Sequence, residues 1–483
     1  MAPNASINKA TNLWVSRVIP LILIGLVGYV SWVEIKLLCV DYLLRPSTTL
    51  HTPRPGPAIG ILVIYSVLLL LFVFTYARLL FTVTVTPGYV PRCSQWRALR
   101  ESKTKAKGRR NQRHRKRSSQ SSNGSTGENA GGESAENGRI SGHNYGGGAS
   151  TAPTTTEAAP GLQDFYSRDA FVCQTDGRPN WCSTCLNWKP DRAHHCREIE
   201  RCVRKMDHFC PWVGGVVSET SFKFFIQFVG WTAIYCVFNL TVAAYFLAEY
   251  RRETHSLHVH WLVVVCLGAL FGLFNLGMTG SSLQFALINT TTIENLSRRT
   301  LVWTLAIHMP KPPETSIGFR TVSFSTATLT TESDAPAEEQ ASGAIKTFAI
   351  LHTKPGENPF DLGPYQNFKT VMGDHWYDWL LPIRFSPCCN HDRRDGQFAM
   401  GPVVQRMRAE AGIASVEEIS DEKMHRKPKR SRRQSHRARA AVAAPETDSN
   451  QDEKKGRDTG HNRDEADDID LEAGLGHTNG HVH

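Results

Sequence analysis

Four long apolar stretches dominate the pattern of hydrophobic and polar positions along the chain, and none of them contains a charged residue. They comprise residues 18–33, 57–76, 224–247 and 261–288. A helix needs about 20 apolar residues to cross the hydrocarbon core of a bilayer. Three stretches meet that length, and the first meets it by extending past Glu34. The last stretch is apolar around its whole circumference, which argues against buried helices of a water-soluble protein. The pattern therefore predicts four membrane helices, of which the first two cover about 18–40 and 57–77.

The remainder of the chain is polar and carries two strongly basic runs, at 103–117 and 425–439. Because basic residues mark the cytoplasmic side of a membrane protein, four spans place both termini and the long central segment on that side. The formal net charge of +10 then favours contact with the anionic lipids of the bilayer. Binding of nucleic acid is not expected, since the basic runs lack an accompanying aromatic platform.

Segments rich in Ser, Gly, Asn and Thr bury too little apolar surface to fold, and they divide the chain into six parts. The parts are 1–90 with the first two helices, 91–170 as a basic disordered cytosolic insert, 171–221 as a cysteine-rich domain, 222–290 with the other two helices, 291–390 as a cytosolic C-terminal region, and 391–483 as a disordered tail, first basic and then acidic. Residues 311–345 are also expected to lack regular structure. The expected fold class is an all-α polytopic membrane protein with a small zinc-stabilised cytosolic domain between helices 2 and 3.

Five of the twelve cysteines fall between residues 182 and 210, on a side of the membrane where disulfides are disfavoured. A Cys-x2-Cys pair, followed by a histidine and a further cysteine, has the spacing of zinc ligands. The spacing predicts one structural Zn²⁺ bound by Cys182, Cys185, His195 and Cys202. His194 or Cys196 could replace one of these ligands, and a set of unrelated buried thiols is the competing interpretation.

Cys210 stands outside this ligand set and closes the tetrad Asp-His-Phe-Cys. A free thiol is a poor nucleophile until it loses its proton. His208 can take that proton and Asp207 can hold the imidazole in the required tautomer. Cys210 lies twelve residues before Phe222, where the third membrane helix is expected to begin, so the thiol works close to the membrane surface. Asp207, His208 and Cys210 are the candidate catalytic residues, although additional metal ligands would give the same string.

Basic residues outnumber acidic ones around this cluster, with six against three between residues 189 and 205. Such an excess can hold phosphate groups. The candidates for phosphate contacts are Lys189, Arg192, Arg204 and Lys205. Contact with lipid headgroups, or simple solvation of the charge, explains each of them equally well.

These motifs together resemble the DHHC-type protein S-acyltransferases, also called palmitoyltransferases. The resemblance rests on Cys-x2-Cys, the triplet His194-His195-Cys196, the Asp-His-Phe-Cys tetrad and the following Pro-Trp-Val, all ahead of the third membrane helix. The basic insert and the phenylalanine are most similar to a fungal branch, the protein fatty acyltransferase five group. Two further family marks are Thr291-Thr292-Ile293-Glu294 and Asn358–Gly363 with Asn367. A third mark, usually Asp-Pro-Gly, reads Thr86-Pro87-Gly88 here, so no role is carried over to Thr86.

The resemblance implies a two-step mechanism. Cys210 would attack a long-chain acyl-CoA and become a thioester, and a membrane-proximal cysteine of a substrate protein would then take the acyl group. His208 would act as the base and Asp207 would orient it. The acyl chain would lie between the helices, and the four basic residues would contact the phosphates of acyl-CoA.

Family members usually hold a second zinc ion, whose ligands would fall here at residues 196, 199, 209 and 216. This sequence has Cys196, Ile199, Phe209 and Val216 at these positions. Since three ligands are replaced by apolar side chains, we expect a single zinc ion and an Ile199-Phe209-Val216 cluster in place of the second.

There are two alternatives to an enzyme, and one further cysteine pair needs an interpretation. A membrane-anchored zinc scaffold without activity is the alternative to the enzyme. A transporter would need ionisable groups within the spans, which the four apolar stretches lack. The pair Cys388-Cys389 in the tail region is expected either to be acylated itself or to be a plain pair of surface thiols.

Overall fold

The computed structural model describes residues 3–46, 52–92, 96, 98, 101, 161–310, 318–325, 345–391 and 396–413. Both basic runs lie outside the described residues. The same holds for most of the expected disordered insert and tail, namely 102–160 and 414–483.

Four helices of the described chain are long and apolar enough to cross a membrane. They are α1 (Pro3–Trp32, continued by a π-helical segment Val33–Leu44), α2 (Pro55–Val85), α3 (Phe222–Thr254) and α4 (Val259–Leu287). The first three extend beyond the expected stretches at both ends, and α3 does so through the charged segment Glu249–Glu253. The fourth begins two residues earlier than expected and ends one residue earlier. The expectation of four spans, with the cysteine-rich domain between the second and the third, is confirmed.

Large apolar side chains point outward from all four helices. Leu21 is 68% exposed, Leu70 68%, Ile234 49% and Leu273 76%. Leaving such a side chain in water forgoes about 1.5–3 kcal/mol of burial energy, whereas a hydrocarbon environment removes this cost. The outer surface of the bundle therefore fits a lipid bilayer.

Two buried apolar clusters hold the bundle together. The first surrounds Cys210 and includes Phe72 of α2 and Phe228 of α3. The second includes Tyr235 of α3, Trp261 of α4 and the buried face of the π-helical segment. Aromatic rings from three helices thus meet in the interior, and Cys210 lies where the bundle joins the cysteine-rich domain.

The cysteine-rich domain consists of three short antiparallel hairpins in sequence. Their strands are β2 (Asn180–Cys182) with β3 (Asn187–Lys189), β4 (His194–Cys196) with β5 (Arg201–Val203), and β6 (His208–Cys210) with β7 (Gly215–Val217). A one-turn 3₁₀ helix, Pro211–Val213, connects β6 to β7. Strands of three residues are too short to be stable alone, so the hairpins depend on side chains that tie them together.

A four-stranded antiparallel sheet is the main difference from the expected all-α architecture. It contains β1 (Ala170–Val172), β8 (Thr304–Met309), β9 (Arg320–Ser325) and β10 (Ile345–His352), in the order β1-β8-β10-β9. The structure also corrects two of the expected boundaries. The insert expected to reach residue 170 ends earlier, in a short helix Leu162–Tyr166, and the region 311–345, expected to lack structure, includes β9.

The expected start of the disordered tail at residue 391 is also corrected. A helix, Pro402–Glu410, follows it and packs Val404 and Met407 against the sheet residues Leu305 and Ile307. The two buried side chains stand three residues apart in an otherwise polar segment, which gives only a weak periodic signal. The described structure therefore continues to Ile413.

The segment after α4 caps the end of that helix. Asn367 donates from Nδ2 to the carbonyl of Leu287 at 2.8 Å, and Asn358 donates to the carbonyl of Ile288 at 3.1 Å. These are carbonyls that a helix end leaves without an internal partner. Three further short helices, Thr292–Leu296, Pro364–Met372 and Trp376–Leu380, complete the described structure.

Candidate active site

The four cysteine and histidine residues expected to bind zinc lie together at the first two hairpins. The ligand atoms of Cys182, Cys185, His195 and Cys202 are all within 4.8 Å of one another. The Nδ1 atom of His195 is 3.6 Å from the sulfur of Cys182, 3.3 Å from that of Cys185 and 4.0 Å from that of Cys202. Ligand atoms around a tetrahedral zinc ion are about 3.5–3.8 Å apart. The cluster is therefore compatible with a structural zinc ion.

The two residues expected as alternative ligands are directed elsewhere. The thiol of Cys196 lies 3.2 Å from a carboxylate oxygen of Glu198, and burial raises the pKa of this thiol to about 12. His194 is outside the close group, and burial lowers its pKa to about 4.

The third hairpin repeats the geometry of the second with apolar residues. In the β4–β5 pair, His195 lies directly opposite Cys202, and in the β6–β7 pair, Phe209 lies directly opposite Val216. Val216 and Cys196 belong to one buried cluster, against which Ile199 and Phe209 pack. Directly opposed side chains are the closest neighbours in a sheet. An apolar contact thus occupies the place in the third hairpin where the second hairpin holds two zinc-ligand residues.

The candidate catalytic residues are held by hydrogen bonds from two directions. The carboxylate of Asp207 lies 2.7 Å from Nδ1 of His208. The same carboxylate accepts from the backbone N–H of Thr292 at 2.9 Å and from its hydroxyl at 2.8 Å. Asp207 is 3% exposed and Cys210 is 5% exposed. The imidazole is therefore fixed, with its Nδ1 on the acid side.

Burial alone would lower the pKa of His208, but its hydrogen bonds with Asp207 and Cys210 outweigh that effect and raise the pKa to about 10. A protonated imidazole next to a thiol favours the thiolate, which is the nucleophilic form. His208 also lies edge-on to Phe225, with ring centroids 5.2 Å apart. The pair can therefore exchange a proton in a site shielded by an aromatic ring.

Thr292 is positioned by a capping box at the start of its short helix. The side chain of Thr291 accepts from the N–H of Glu294, and the carboxylate of Glu294 accepts in return from the N–H of Thr291. Two bonds at 2.8 and 2.7 Å join the Glu294 carboxylate to the guanidinium of Arg192. Arg192 also donates to the side chain and the carbonyl of Asn289. A buried ion pair thus fixes the residue that holds Asp207.

We expect Glu294→Gln to lower the free energy of unfolding by about 3–5 kcal/mol, because Arg192 would remain as an uncompensated buried charge. The side chains are 0% (Arg192) and 4% (Glu294) exposed. Thermal unfolding of the purified protein in detergent measures the change. Glu410→Gln is the matched control, because this glutamate pairs with Arg406 at the surface and is 57% exposed. Equal effects of the two substitutions would contradict the structural role given to Glu294.

An apolar cavity opens next to Cys210 and runs between the four membrane helices. Its lining includes Leu23, Val27, Val30, Phe72, Cys210, Trp212, Phe228, Tyr235, Asn239, Phe271 and Met278. The few polar side chains are turned to their own helices: Asn239 donates to the carbonyl of Tyr235 at 2.7 Å and Thr232 to that of Phe228 at 2.6 Å. Along α3 the lining extends from Phe225 to Asn239, or about 21 Å at 1.5 Å per helical residue.

The four basic residues expected to contact phosphates do not form one surface. Arg192 and Lys205 are 4% and 7% exposed, and Lys205 contacts Asn289 and the ring of Phe398. Arg204 lies 2.9 Å from Glu219 and is 11% exposed. Lys189 is half-buried. Charge counting along the sequence does not reveal that three of the four side chains face the interior.

Thr292 contacts a candidate catalytic residue, Asp207, and the sequence did not predict this contact, although Thr292 lies within a motif that resembles a family mark. Thr291 is followed three residues later by Glu294, which is the sequence signature of a capping box. This signature indicates that a helix begins at Thr292. The contact with Asp207 spans 85 residues, which no local pattern reveals.

Several known proteins are similar to this chain over the region that contains the candidate active site. A family model described as DHHC palmitoyltransferase matches residues 175–299. Palmitoyltransferase pfa5 of Aspergillus fumigatus is 48% identical over 415 residues, which cover 84% of this chain and 92% of that protein. Palmitoyltransferase pfa5 of Emericella nidulans is 42% identical over 436 residues, with 84% and 88% covered. Palmitoyltransferase ZDHHC15 of Rattus norvegicus is 29% identical over 219 residues, with 45% and 50% covered. This chain belongs to the DHHC palmitoyltransferase family.

Proposed function

We propose that this protein transfers a long-chain acyl group, palmitoyl in the first instance, from acyl-CoA to cysteine thiols of substrate proteins through a thioester on Cys210. The observation that carries the proposal is the position of Cys210. Its sulfur lies beside the Asp207–His208 pair and lines an apolar cavity inside the membrane bundle. The sulfur of Cys210 is therefore close both to the proposed base and to the cavity that would hold the acyl chain. The intact Asp207–His208 hydrogen bond argues against the alternative of an inactive membrane-anchored scaffold.

In the first step, the thiolate of Cys210 attacks the thioester carbonyl of acyl-CoA. His208 holds the proton taken from the thiol and gives it to the departing CoA sulfur, while Asp207 keeps the imidazole in place. In the second step, His208 accepts a proton from the thiol of a substrate protein. That sulfur then attacks the acyl group on Cys210, whose thiol is restored by the same proton.

The apolar cavity supports the choice of a long-chain donor. Each methylene group kept out of water is worth about 0.8 kcal/mol, so a chain lying between the helices gains several kilocalories per mole over one exposed at the surface. The lining along α3 is comparable in length with a long fatty acyl chain. The acyl group thus reaches Cys210 without crossing water.

The zinc ion proposed for Cys182, Cys185, His195 and Cys202 has only a structural role. It holds together the first two hairpins, which are too short to be stable alone. We further propose that the third hairpin binds no ion, because Phe209 and Val216 supply an apolar contact at the corresponding place. Neither proposal adds a step to the reaction.

Both termini and the cysteine-rich domain lie on the cytosolic face in this proposal, where acyl-CoA and substrate cysteines near the membrane are present. Lys189 is the remaining candidate for a contact with the phosphates of acyl-CoA, because Arg192, Arg204 and Lys205 are engaged inside the protein. Substrate proteins with cysteines near the bilayer suit a thiol at this depth.

The proposal is tested by incubating the purified protein with palmitoyl-CoA and locating the acyl group by mass spectrometry. We expect a hydroxylamine-sensitive palmitoyl group on Cys210 that disappears when an acceptor peptide containing cysteine is added. A palmitoyl group found elsewhere during turnover, with Cys210 always unmodified, would rule out the thioester mechanism.

Acyl-chain length is expected to depend on Tyr235, which lies one helical turn before Asn239, the last α3 residue of the cavity lining. Its hydroxyl is 2.9 Å from that of Tyr65, which donates to the hydroxyl of Ser31 at 2.7 Å, so three helices are joined across the cavity. Tyr235→Ala should remove this barrier and shift the preference towards acyl-CoA donors longer than palmitoyl, by roughly 10-fold for two further buried methylenes. Competition assays with mixed chain lengths measure the ratio.

Tyr245→Ala is the matched control, since Tyr245 lies on the same helix but is 64% exposed on its outer face. If both variants keep the wild-type ratio, Tyr235 does not close the cavity.

A further inference from the structure

A second group of metal-ligating side chains lies where the C-terminal region meets the cysteine-rich domain. Its members are Glu219, which lies three residues before α3, and Cys389 and His391 from the C-terminal region. Their ligand atoms are all within 4.8 Å of one another, as are those of the zinc cluster. Among the described residues these are the two groups with this property.

The distances match those between ligands of one ion. The sulfur of Cys389 is 3.3 Å from Oε2 of Glu219 and 3.8 Å from Nδ1 of His391. The same Nδ1 is 3.5 Å from Oε1 of Glu219. In the zinc cluster, the corresponding distances to the histidine nitrogen are 3.3–4.0 Å. The second group therefore has the dimensions of a metal centre.

Outer contacts orient two of these ligands. Nε2 of His391 is 2.7 Å from the carbonyl oxygen of Ser386, which makes Nε2 the protonated nitrogen and leaves the lone pair on Nδ1. Oε1 of Glu219 lies 2.9 Å from Nε of Arg204, and this carboxylate is 0% exposed, so Oε2 is left to face Cys389. Metal-binding histidines and carboxylates commonly carry such outer partners.

The thiol of Cys388 lies outside this close group of three, but it is next to one of its members. The sulfur of Cys388 lies 3.9 Å from that of Cys389. Two thiolates and one carboxylate around a divalent ion leave a net charge of −1, which the guanidinium of Arg204 offsets. Lys205, whose charge interacts with Cys388 and Cys389, supplies further positive charge.

We propose that Glu219, Cys389 and His391 bind one zinc ion, that Cys388 turns in as the fourth ligand, and that the ion fastens the C-terminal region to the cysteine-rich domain. A mixed set of thiolate, imidazole and carboxylate donors suits Zn²⁺. Binding displaces the two thiol protons, so the pair Cys388-Cys389 carries neither acyl groups nor free thiols while the ion is held. This assignment is independent of the proposed reaction, because none of the four residues touches Cys210 or His208.

The experiment counts zinc per chain in the purified full-length protein after dialysis against a weak chelator. We expect two zinc ions in the wild type and one in Cys389→Ser and in His391→Ala. His391→Cys should retain two, because a thiolate replaces the imidazole as a ligand. His375→Ala and Cys266→Ser are the matched controls, since both residues are exposed, and both variants should retain two. Cys210→Ser should also retain two, which separates this test from that of the reaction.

Thiol alkylation of the wild type gives a second measurement that does not depend on the folding of variants. With zinc bound, Cys388 and Cys389 should resist alkylation, and a moderate chelator should expose these two before Cys182, Cys185 and Cys202. One zinc ion per chain in the wild type, two retained in His391→Ala, or rapid alkylation or acylation of Cys389 in the zinc-loaded protein would each overturn the assignment.

Discussion

Replacing Cys210 by serine is expected to abolish acyl transfer, with a loss of at least about 10³-fold, because removal of a nucleophile leaves only the contribution of binding and positioning. A serine hydroxyl is a much weaker nucleophile than a thiolate, and the acyl group would remain on CoA. Hydroxylamine-sensitive labelling of the protein with a fatty-acyl analogue, together with release of free CoA, measures the effect.

Cys236→Ser is the matched control for this substitution. Cys236 lines the same cavity as Cys210 and is 9% exposed, but it lies within α3 and far along the chain from His208. We expect its labelling to equal that of the wild type. If Cys210→Ser retained the label while Cys236→Ser lost it, the nucleophile would have been assigned to the wrong sulfur.

Replacing Cys202 by serine is expected to release zinc from the first two hairpins and to unfold the cysteine-rich domain. Structural zinc contributes about 10–16 kcal/mol to the folding of small zinc domains, and Cys202 is a 0% exposed member of the ligand group. The hairpin strands have three residues each, so little else would hold them. The zinc content of the purified protein and its susceptibility to limited proteolysis check the expectation.

Cys196→Ala provides the comparison, since this thiol lies in the apolar cluster and outside the ligand group. It should retain the zinc of the first two hairpins and a protease-resistant domain. Loss of the same ion in Cys196→Ala would mean that Cys196 belongs to the ligand set and that the assignment from geometry is wrong.

The parts of the fold that follow from local pattern could be predicted from the sequence. The four membrane helices depend only on long apolar runs, and the zinc residues Cys182, Cys185, His195 and Cys202 depend on spacing within a stretch of 21 residues. The sheet could not be predicted in the same way. Strand β1 has three residues and pairs with β8, more than 130 residues further along, and strand pairing over such distances leaves no periodic signal.

The basic residues show a second limit of sequence analysis. A run such as 189–205 gives the number of charges but not the partner of each one. Arg192 was expected to face a phosphate, whereas it forms a buried ion pair with Glu294, 102 residues away. Identifying that pair requires knowledge of how the end of α4 packs on the hairpins, which is a property of the tertiary structure.

The contacts of Thr292 with Asp207 also bear on how this protein can be divided experimentally. The proposed nucleophile Cys210 and the imidazole of His208 come from the third hairpin, but Thr292, which donates two hydrogen bonds to Asp207, comes from beyond the last membrane helix. An excised hairpin domain would contain Asp207, His208 and Cys210 but would lack the two hydrogen bonds from Thr292 that orient Asp207. We therefore expect the three hairpins to be inactive when they are moved into another protein without the segment that follows α4.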